Sequence, residues 1–273
     1  MSVAAAVLLG ILQGLTEFLP VSSSAHLILA RAFFGWDVPA DFGLAFDVAL
    51  HIGTLVAILA FFRGEIAGMV AALPSVLSPG DDPAGRPARL IQRIAVATVP
   101  VVVVGVLFND YIEETLRTPR VAAWALAIGA VVMFGAERLG TRRRTEDSVT
   151  WLEAVLIGCA QACALIPGVS RSGATISLGM FLGFRRDAAA RFTFLLAIPA
   201  TLAAAGKESL ELGRMGVTAA NAQLMIIGVL VSGIVGYVTI KYFLRFLAGH
   251  RLDVFAYYRW ALAAVTFVWL FRS

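Results

Sequence analysis

Gln13-Gly-Leu-Thr-Glu17-Phe-Leu-Pro20-Val-Ser22-Ser23-Ser24-Ala-His26 returns, altered, about 148 residues later as Gln161-Ala-Cys-Ala-Leu165-Ile-Pro167-Gly168-Val-Ser170-Arg171-Ser172-Gly-Ala-Thr175. With one residue of slip at the proline, Gln13 aligns with Gln161 and Val21 with Val169. Ser22, Ser23 and Ser24 then align with Ser170, Arg171 and Ser172. Each copy is an apolar helix with a polar face, a break at Pro, a hydroxyl-rich turn and a second apolar stretch. In a membrane chain, broken helices at corresponding positions of two halves point to the binding site.

Composition places the chain in a membrane. Hydrophobic residues make up 59% of it and charged ones 15%, and the mean hydropathy is +0.84. Several windows approach the ~20 apolar residues that cross a bilayer, and a soluble protein of this size needs more charge on its surface. No basic patch interleaved with aromatics suggests nucleic acid. Cys159 and Cys163 share a helical face without disulfide geometry and read as small packing residues. No Lys or Arg precedes Arg31 and Glu17 interrupts the first apolar run, so no cleavable signal peptide is expected.

Hydropathy and breakers together give eight membrane-embedded units in one integral domain, 1–273. Residues 2–34 and 150–184 are too short for two spans each and read as re-entrant hairpins. Full spans are expected at 42–62, 89–108 (with Pro100 inside), 120–139, 187–205, 222–247 and 254–271. The fold class is thus an all-α polytopic membrane protein with two repeats, about 2–139 and 150–271. Three spans per repeat is odd, so the second hairpin would enter from the opposite face, as an inverted-topology repeat. Arginine placement agrees: 63–93, 138–144, 185–191 and 241–251 carry 14 of the 22 Lys and Arg. Arg31, Arg117, Arg120, Lys207, Arg214 and Arg272 fall on the other face. The rule that positive loops stay inside makes the Arg142–Arg144 stretch cytoplasmic and both termini external. Trp36, Trp124, Trp151, Tyr111, Tyr257 and Tyr258 read as an interfacial belt, and 74–86 as a polar connection.

The chemistry-bearing residues gather at the breaks. Gln13 and Glu17 are four apart on one helical face. An intramembrane carboxylate is a functional candidate, either as a ligand of a divalent cation with the Gln13 carbonyl beside it or as a general base. Arg171 in the second break needs an anion, which is a ligand phosphate or Glu17. Both breaks lead into helix N-termini, which suit phosphate. Gly168 and Gly173 allow close backbone approach, and Ser22, Ser23, Ser24, Ser170, Ser172 and Thr175 supply hydroxyls, some of them as caps. His26 could activate Ser23, attack phosphorus itself or protonate a leaving oxygen. Asp47, His51 and Thr54 form a polar stripe on the first span that could line the same cavity. His250 reads as solvated, and Arg259 as snorkelling or pairing with a helix-end carboxylate.

These stretches resemble the bacterial undecaprenyl-diphosphate phosphatases, the bacitracin-resistance family. Residues 13–26 resemble its [Glu/Gln]-x-x-x-Glu motif, and 167–175 match its Pro-Gly-x-Ser-Arg-Ser-x-x-Thr motif at every fixed position. The resemblance covers essentially the whole chain. It implies hydrolysis of the terminal phosphate of a C55 polyprenyl diphosphate lipid, recycling the carrier for cell-wall synthesis. It further implies Mg²⁺ or Ca²⁺ as cofactor and a multi-pass protein of the bacterial inner membrane with its site facing the periplasm. By motif match Glu17, Ser23, His26 and Arg171 take the functional positions and Gln13 a supporting one. Partners are then the lipid substrate and the bilayer, with room for a homo-oligomer. The rival class is a transporter or flippase of a phosphorylated lipid, which needs an anion site without a Glu–Ser–His constellation.

Overall fold

The computed structural model describes residues 1–36, 40–76, 85–215 and 218–272. Helix dominates them, and among the described residues there is a lone bridge between Arg144 and Phe184 and no β-strand. The first broken unit is α1 (Val3–Thr16) and α2 (Ser23–Phe34). It is followed by α3 (Ala40–Phe61), α4 (Arg63–Ala72), α5 (Gly85–Tyr111) and α6 (Pro119–Leu139). The second broken unit is α7 (Trp151–Cys163) and α8 (Arg171–Phe181). After it come α9 (Arg186–Met215), α10 (Ala219–Gly249) and α11 (Asp253–Leu270).

Both breaks and all six expected spans are helices at the expected places. Five helical stretches are long and apolar enough to cross a membrane: Phe42–Phe61, Gly85–Leu116, Pro119–Leu139, Arg186–Gly206 and Asn221–Gly249. The protein is an all-α, multi-pass membrane protein. The sixth expected span, α11, is not among the five, because Asp253 and Arg259 lower its hydropathy. At 1.5 Å per residue α1 and α7 reach only about 20 Å, short of a ~30 Å hydrocarbon core. Two differences from the sequence reading stand out. The 63–93 connection contains α4, and α9 runs ten residues past 205 because Lys, Glu and Leu there favour helix. Most of the 74–86 connection and the side chains of Lys207 and Arg214 lie outside the described residues.

Local chemistry sets the helix starts. Thr150 and Glu153 form a reciprocal capping box on α7, and Thr118 caps α6 with Pro119 at its first position. The second unit doubles back on itself: the Arg143 and Arg144 amides both donate to the Gly183 carbonyl at 2.9 Å, and the Arg185 amide to Arg144 at 2.9 Å. In the first unit, Ala6 and Leu9 of α1 pack with Leu27 of α2 and Phe46 of α3, with Met1, Trp36 and Phe42 against them.

Four arginine-bearing stretches meet at one end of the bundle. Arg191 pairs with Glu65 at 2.5 Å, Arg86 with Glu146 at 3.2 Å, Arg186 with Glu137, and Arg251 with Glu137 at 3.6 Å. Glu137 and Glu146 are buried while most of their arginine partners reach solvent, and the value of these pairs here is positional: they put 63–93, 138–144, 185–191 and 241–251 together. Arg31 and Arg117 belong to a separate cluster on Asp47, at 2.6 and 2.7 Å. Cys159 and Cys163 are free and exposed, so they do not pack the interior as expected. They lie on the face of α7 that borders apolar grooves beside α5 and α6.

Candidate active site

The two breaks fold alike. Ser22 and Ser170 both have φ of 72°, with ψ of 98° and 114°, a sparsely populated conformation costing about 1–3 kcal/mol at each position. Each serine caps the helix it begins, Ser22 accepting from the Ala25 amide and Ser170 from the Gly173 amide. The Ser22 and Ser24 hydroxyls are 3.2 Å apart, and so are those of Ser170 and Ser172. The N-termini of α2 and α8, with their unpaired N–H groups and positive dipole ends, therefore sit in matching turns.

A cavity of about 310 Å³ lies where the turns converge, lined by Glu17, Ser22, Ser23, Ser24, Ser170 and Arg171 among others. Glu17 is only 8% exposed. One of its oxygens takes an ion pair from Arg171. The other accepts from the Ser23 hydroxyl at 2.6 Å and from Gln13 Nε2 at 2.9 Å. Arg171 also donates to Thr201 on α9 at 3.0 Å, just beyond the helix-interior Pro199. Ser172 donates to the Leu19 carbonyl at 3.0 Å, tying the second turn to the first. Of the two alternatives open for Arg171, phosphate and Glu17, the structure shows the second: the carboxylate holds the guanidinium at the cavity wall.

Glu17, Ser23, Arg171 and Gln13 meet; His26 stands apart from them. Its Nδ1 lies 2.7 Å from the Ser22 carbonyl and its Nε2 2.7 Å from the Tyr258 hydroxyl. Both ring nitrogens are occupied away from Ser23, and Tyr258, expected in the interfacial belt, is the partner of one. Ser172 and Thr175 face protein groups, Thr175 donating to the Arg171 carbonyl at 2.7 Å and lying 2.8 Å from Thr193. Gly168, at φ of 100°, serves packing: a Cβ there would stand 2.5 Å from the Ala122 carbonyl of α6. The close approach that its missing side chain allows is to α6.

Two residues outside the motif turns complete the surroundings: His51, expected to line the cavity and found there, and Arg259, whose role the sequence reading missed. The histidine beside the carboxylate is His51, whose Nε2 is 3.4 Å from Glu17 and whose Nδ1 bonds the Asp47 carbonyl at 2.7 Å. The Asp47–His51 spacing was the available signal; Asp47 itself is occupied by Arg31 and Arg117. The other is Arg259, which is 0% exposed and neither snorkels nor meets a carboxylate. It donates to five carbonyls: Pro20 in the first break (3.2 Å), Gly168 (2.9 Å) and Val169 (3.1 Å) in the second, and Ala125 (3.0 Å) and Leu126 (3.1 Å) of α6. Gly129 makes room for it, since a Cβ there would stand 2.0 Å from Nη2. Its intramembrane position was a signal for function. Its partners were not readable, because carbonyls carry no sequence mark.

An all-α bundle in which a carboxylate, a hydroxyl and a guanidinium meet beside two helix N-termini defines the class: a multi-pass membrane protein with a polar centre between its two broken helices. The family described as bacitracin resistance protein BacA matches residues 6–265, and the chain belongs to it. It is similar to the "Undecaprenyl-diphosphatase" of Rubrobacter xylanophilus, 47% identical over 263 residues and 95% of each chain. The protein of the same name from Nitrosococcus oceani is 44% identical over 95% of this chain and 96% of its own. That of Moorella thermoacetica is 41% identical over the full length of both.

Proposed function

We propose that the protein hydrolyses undecaprenyl diphosphate to undecaprenyl phosphate and inorganic phosphate. The observation that carries this reading is the Ser23 hydroxyl donating to Glu17 at 2.6 Å beside Arg171, the pairing of nucleophile, base and phosphate-binding cation that phosphoryl transfer requires. A transporter or flippase needs no such pairing, and the relatives' names do not favour it.

The proposed chemistry follows from these contacts. The terminal phosphate enters between the N-termini of α2 and α8, where N–H groups and Arg171 share its charge. Ser23 Oγ attacks the terminal phosphorus as Glu17 takes the hydroxyl proton. The bond from that phosphorus to the bridging oxygen breaks, and undecaprenyl phosphate leaves with the electron pair. Glu17 passes its proton to the departing phosphate oxygen. It then accepts one from the water that attacks phosphoserine; the bond from phosphorus to Ser23 Oγ breaks, Glu17 returns that proton to Oγ, and inorganic phosphate is freed. His26, whose ring nitrogens bond the Ser22 carbonyl and the Tyr258 hydroxyl, positions the turn.

A divalent cation, Mg²⁺ or Ca²⁺, belongs to the proposal. Among the described residues no three His, Cys, Asp or Glu side chains cluster as a metal cage. The donor set fits a cation shared with the substrate: Glu17 is one carboxylate, Gln13 Oε1 is buried without a partner, and the diphosphate brings the remaining oxygens. Bound there, the ion would neutralise charge on the phosphates.

The four arginine-rich stretches gathered at one end of the bundle support a cytoplasmic assignment for that end. Asn109, Glu113 and Arg117, at the far end of α5 and beyond, line the cavity, which supports its opening to the periplasm. Hairpins entering from opposite faces, as an inverted repeat, agree with the same contacts.

The test is phosphate release from undecaprenyl diphosphate by the purified protein, with and without chelator. Rapid quenching with labelled terminal phosphate follows. Acid-stable, alkali-labile label on the protein supports Ser23. Acid-labile, alkali-stable label lost in His26→Asn would move the nucleophile to His26. Turnover with neither would leave water.

A further inference from the structure

Gln161 takes no part in the chemistry above, yet it is the side chain left most incomplete. It is 1% exposed and lines the cavity with Glu17, Ser23 and Arg171, and neither its Oε1 nor its Nε2 has a hydrogen-bond partner. Buried amides are nearly always bonded, because an unmade bond forfeits what water would supply. The other repeat shows the ordinary solution. Gln13, at the aligned position, spends Nε2 on Glu17 at 2.9 Å. The residue aligned with Glu17 is Leu165, which accepts nothing. Loss of that acceptor leaves the whole Gln161 amide free beside the cavity.

We infer that Gln161 is a substrate-binding residue, its Nε2 donating to an anionic oxygen of the diphosphate. The inference rests on the phosphatase reading for its ligand. Arg171 and the α2 and α8 N-termini draw phosphate into the same cavity, so the acceptor that reaches a buried amide there is a phosphate oxygen. The carbonyl end of the amide is left to accept from a protonated phosphate oxygen or a bound water. The two glutamines, at aligned positions of the repeated pattern, thus divide the work: Gln13 orients the base, and Gln161 holds the substrate.

The test uses Gln161→Met and Gln161→Glu beside the wild-type protein in detergent. Two readouts are taken: kcat and KM for phosphate release from undecaprenyl diphosphate, and the rise in melting temperature caused by inorganic diphosphate. Met fills the same space without polar atoms, so Gln161→Met should melt at or above wild type. Its kcat/KM should nonetheless fall about tenfold or more, chiefly through KM, as loss of a hydrogen bond to a charged group does. The diphosphate-induced rise should shrink with it. Gln161→Glu puts a carboxylate against phosphate and should fall further. Wild-type kcat/KM and an unchanged diphosphate response in Gln161→Met would overturn the inference. So would a Gln161→Glu protein as active as wild type, which would make the position a cation ligand. Should Met not fold, Gln161→Asn keeps the amide, withdraws it by one methylene and carries the same KM test. Failure of the parent reading looks different: wild-type protein releases no phosphate but keeps a diphosphate response that Gln161→Met removes.

Discussion

The two breaks share a backbone and differ in what stands on it. Ser22 and Ser170 have the same φ, cap the following helix in the same way and pair with the serine two residues on at the same 3.2 Å. At the centre of the turn the first break carries Ser23 and the second Arg171. Four residues after the aligned glutamines stand Glu17 and Leu165. One copy therefore brings carboxylate and hydroxyl, and the other brings the guanidinium. Neither is a site alone, and their meeting makes one through the Glu17–Arg171 pair. The two turns share one shape and differ at two positions, and the polar contact between them rests on those two differences.

The comparison breaks most severely at the first turn. Glu17→Gln should lower kcat/KM by about 10²–10⁴-fold, the usual worth of a positioned base. Ser23→Ala should lose at least as much, while Ser22→Ala and Ser24→Ala lose less. Steady-state phosphate release measures all four, and full activity in Ser23→Ala would remove the nucleophile from this turn. At the second turn Arg171→Lys keeps charge but not the planar fork. We expect a cost of about 2–4 kcal/mol in transition-state stabilisation, as for a lost preorganised donor. Near-wild-type turnover would make Arg171 a partner of Glu17 and nothing more.

The junction between the turns can be broken separately. Arg259→Met strands the carbonyls of Pro20, Gly168 and Val169, and should destabilise the fold by about 2–3 kcal/mol at roughly 1 kcal/mol for each lost partner. A melting curve in detergent reads this, and an unshifted midpoint would show that the clamp is dispensable. A smaller effect sharpens the likeness of the two turns. Ser22→Ala and Ser170→Ala each remove one cap and should cost a similar ~0.5–2 kcal/mol of stability. A cost confined to one of them would mean that the turns are alike in shape but not in strain. Topology carries no energetic cost in its test. Cysteines at Ser2 and Gly35 should label from one side of the membrane, and one at Arg185 from the other.

Much of this was legible in the chain. Apolar runs of sufficient length, interrupted twice by Pro and hydroxyls, determine an all-α membrane bundle with two broken helices, because lipid leaves backbone polar groups no partner outside a helix. A four-residue spacing put Gln13 and Glu17 on one face, and their hydrogen bond follows from it. A cation and a carboxylate embedded in apolar surroundings had to find partners, which marked Arg171 and Glu17 for each other or for phosphate. The tertiary structure alone decided which histidine meets the carboxylate. His26 is near Ser23 along the chain, but its ring is taken by the Ser22 carbonyl and by Tyr258 from α11. His51 reaches Glu17 because α3 packs beside the first break. It also decided Arg259 and Gln161. The first finds its acceptors among carbonyls of three separate segments, and the second finds none. Both facts depend on which backbones come together, and a hydrogen bond to backbone, or the lack of one, leaves no trace in residue type.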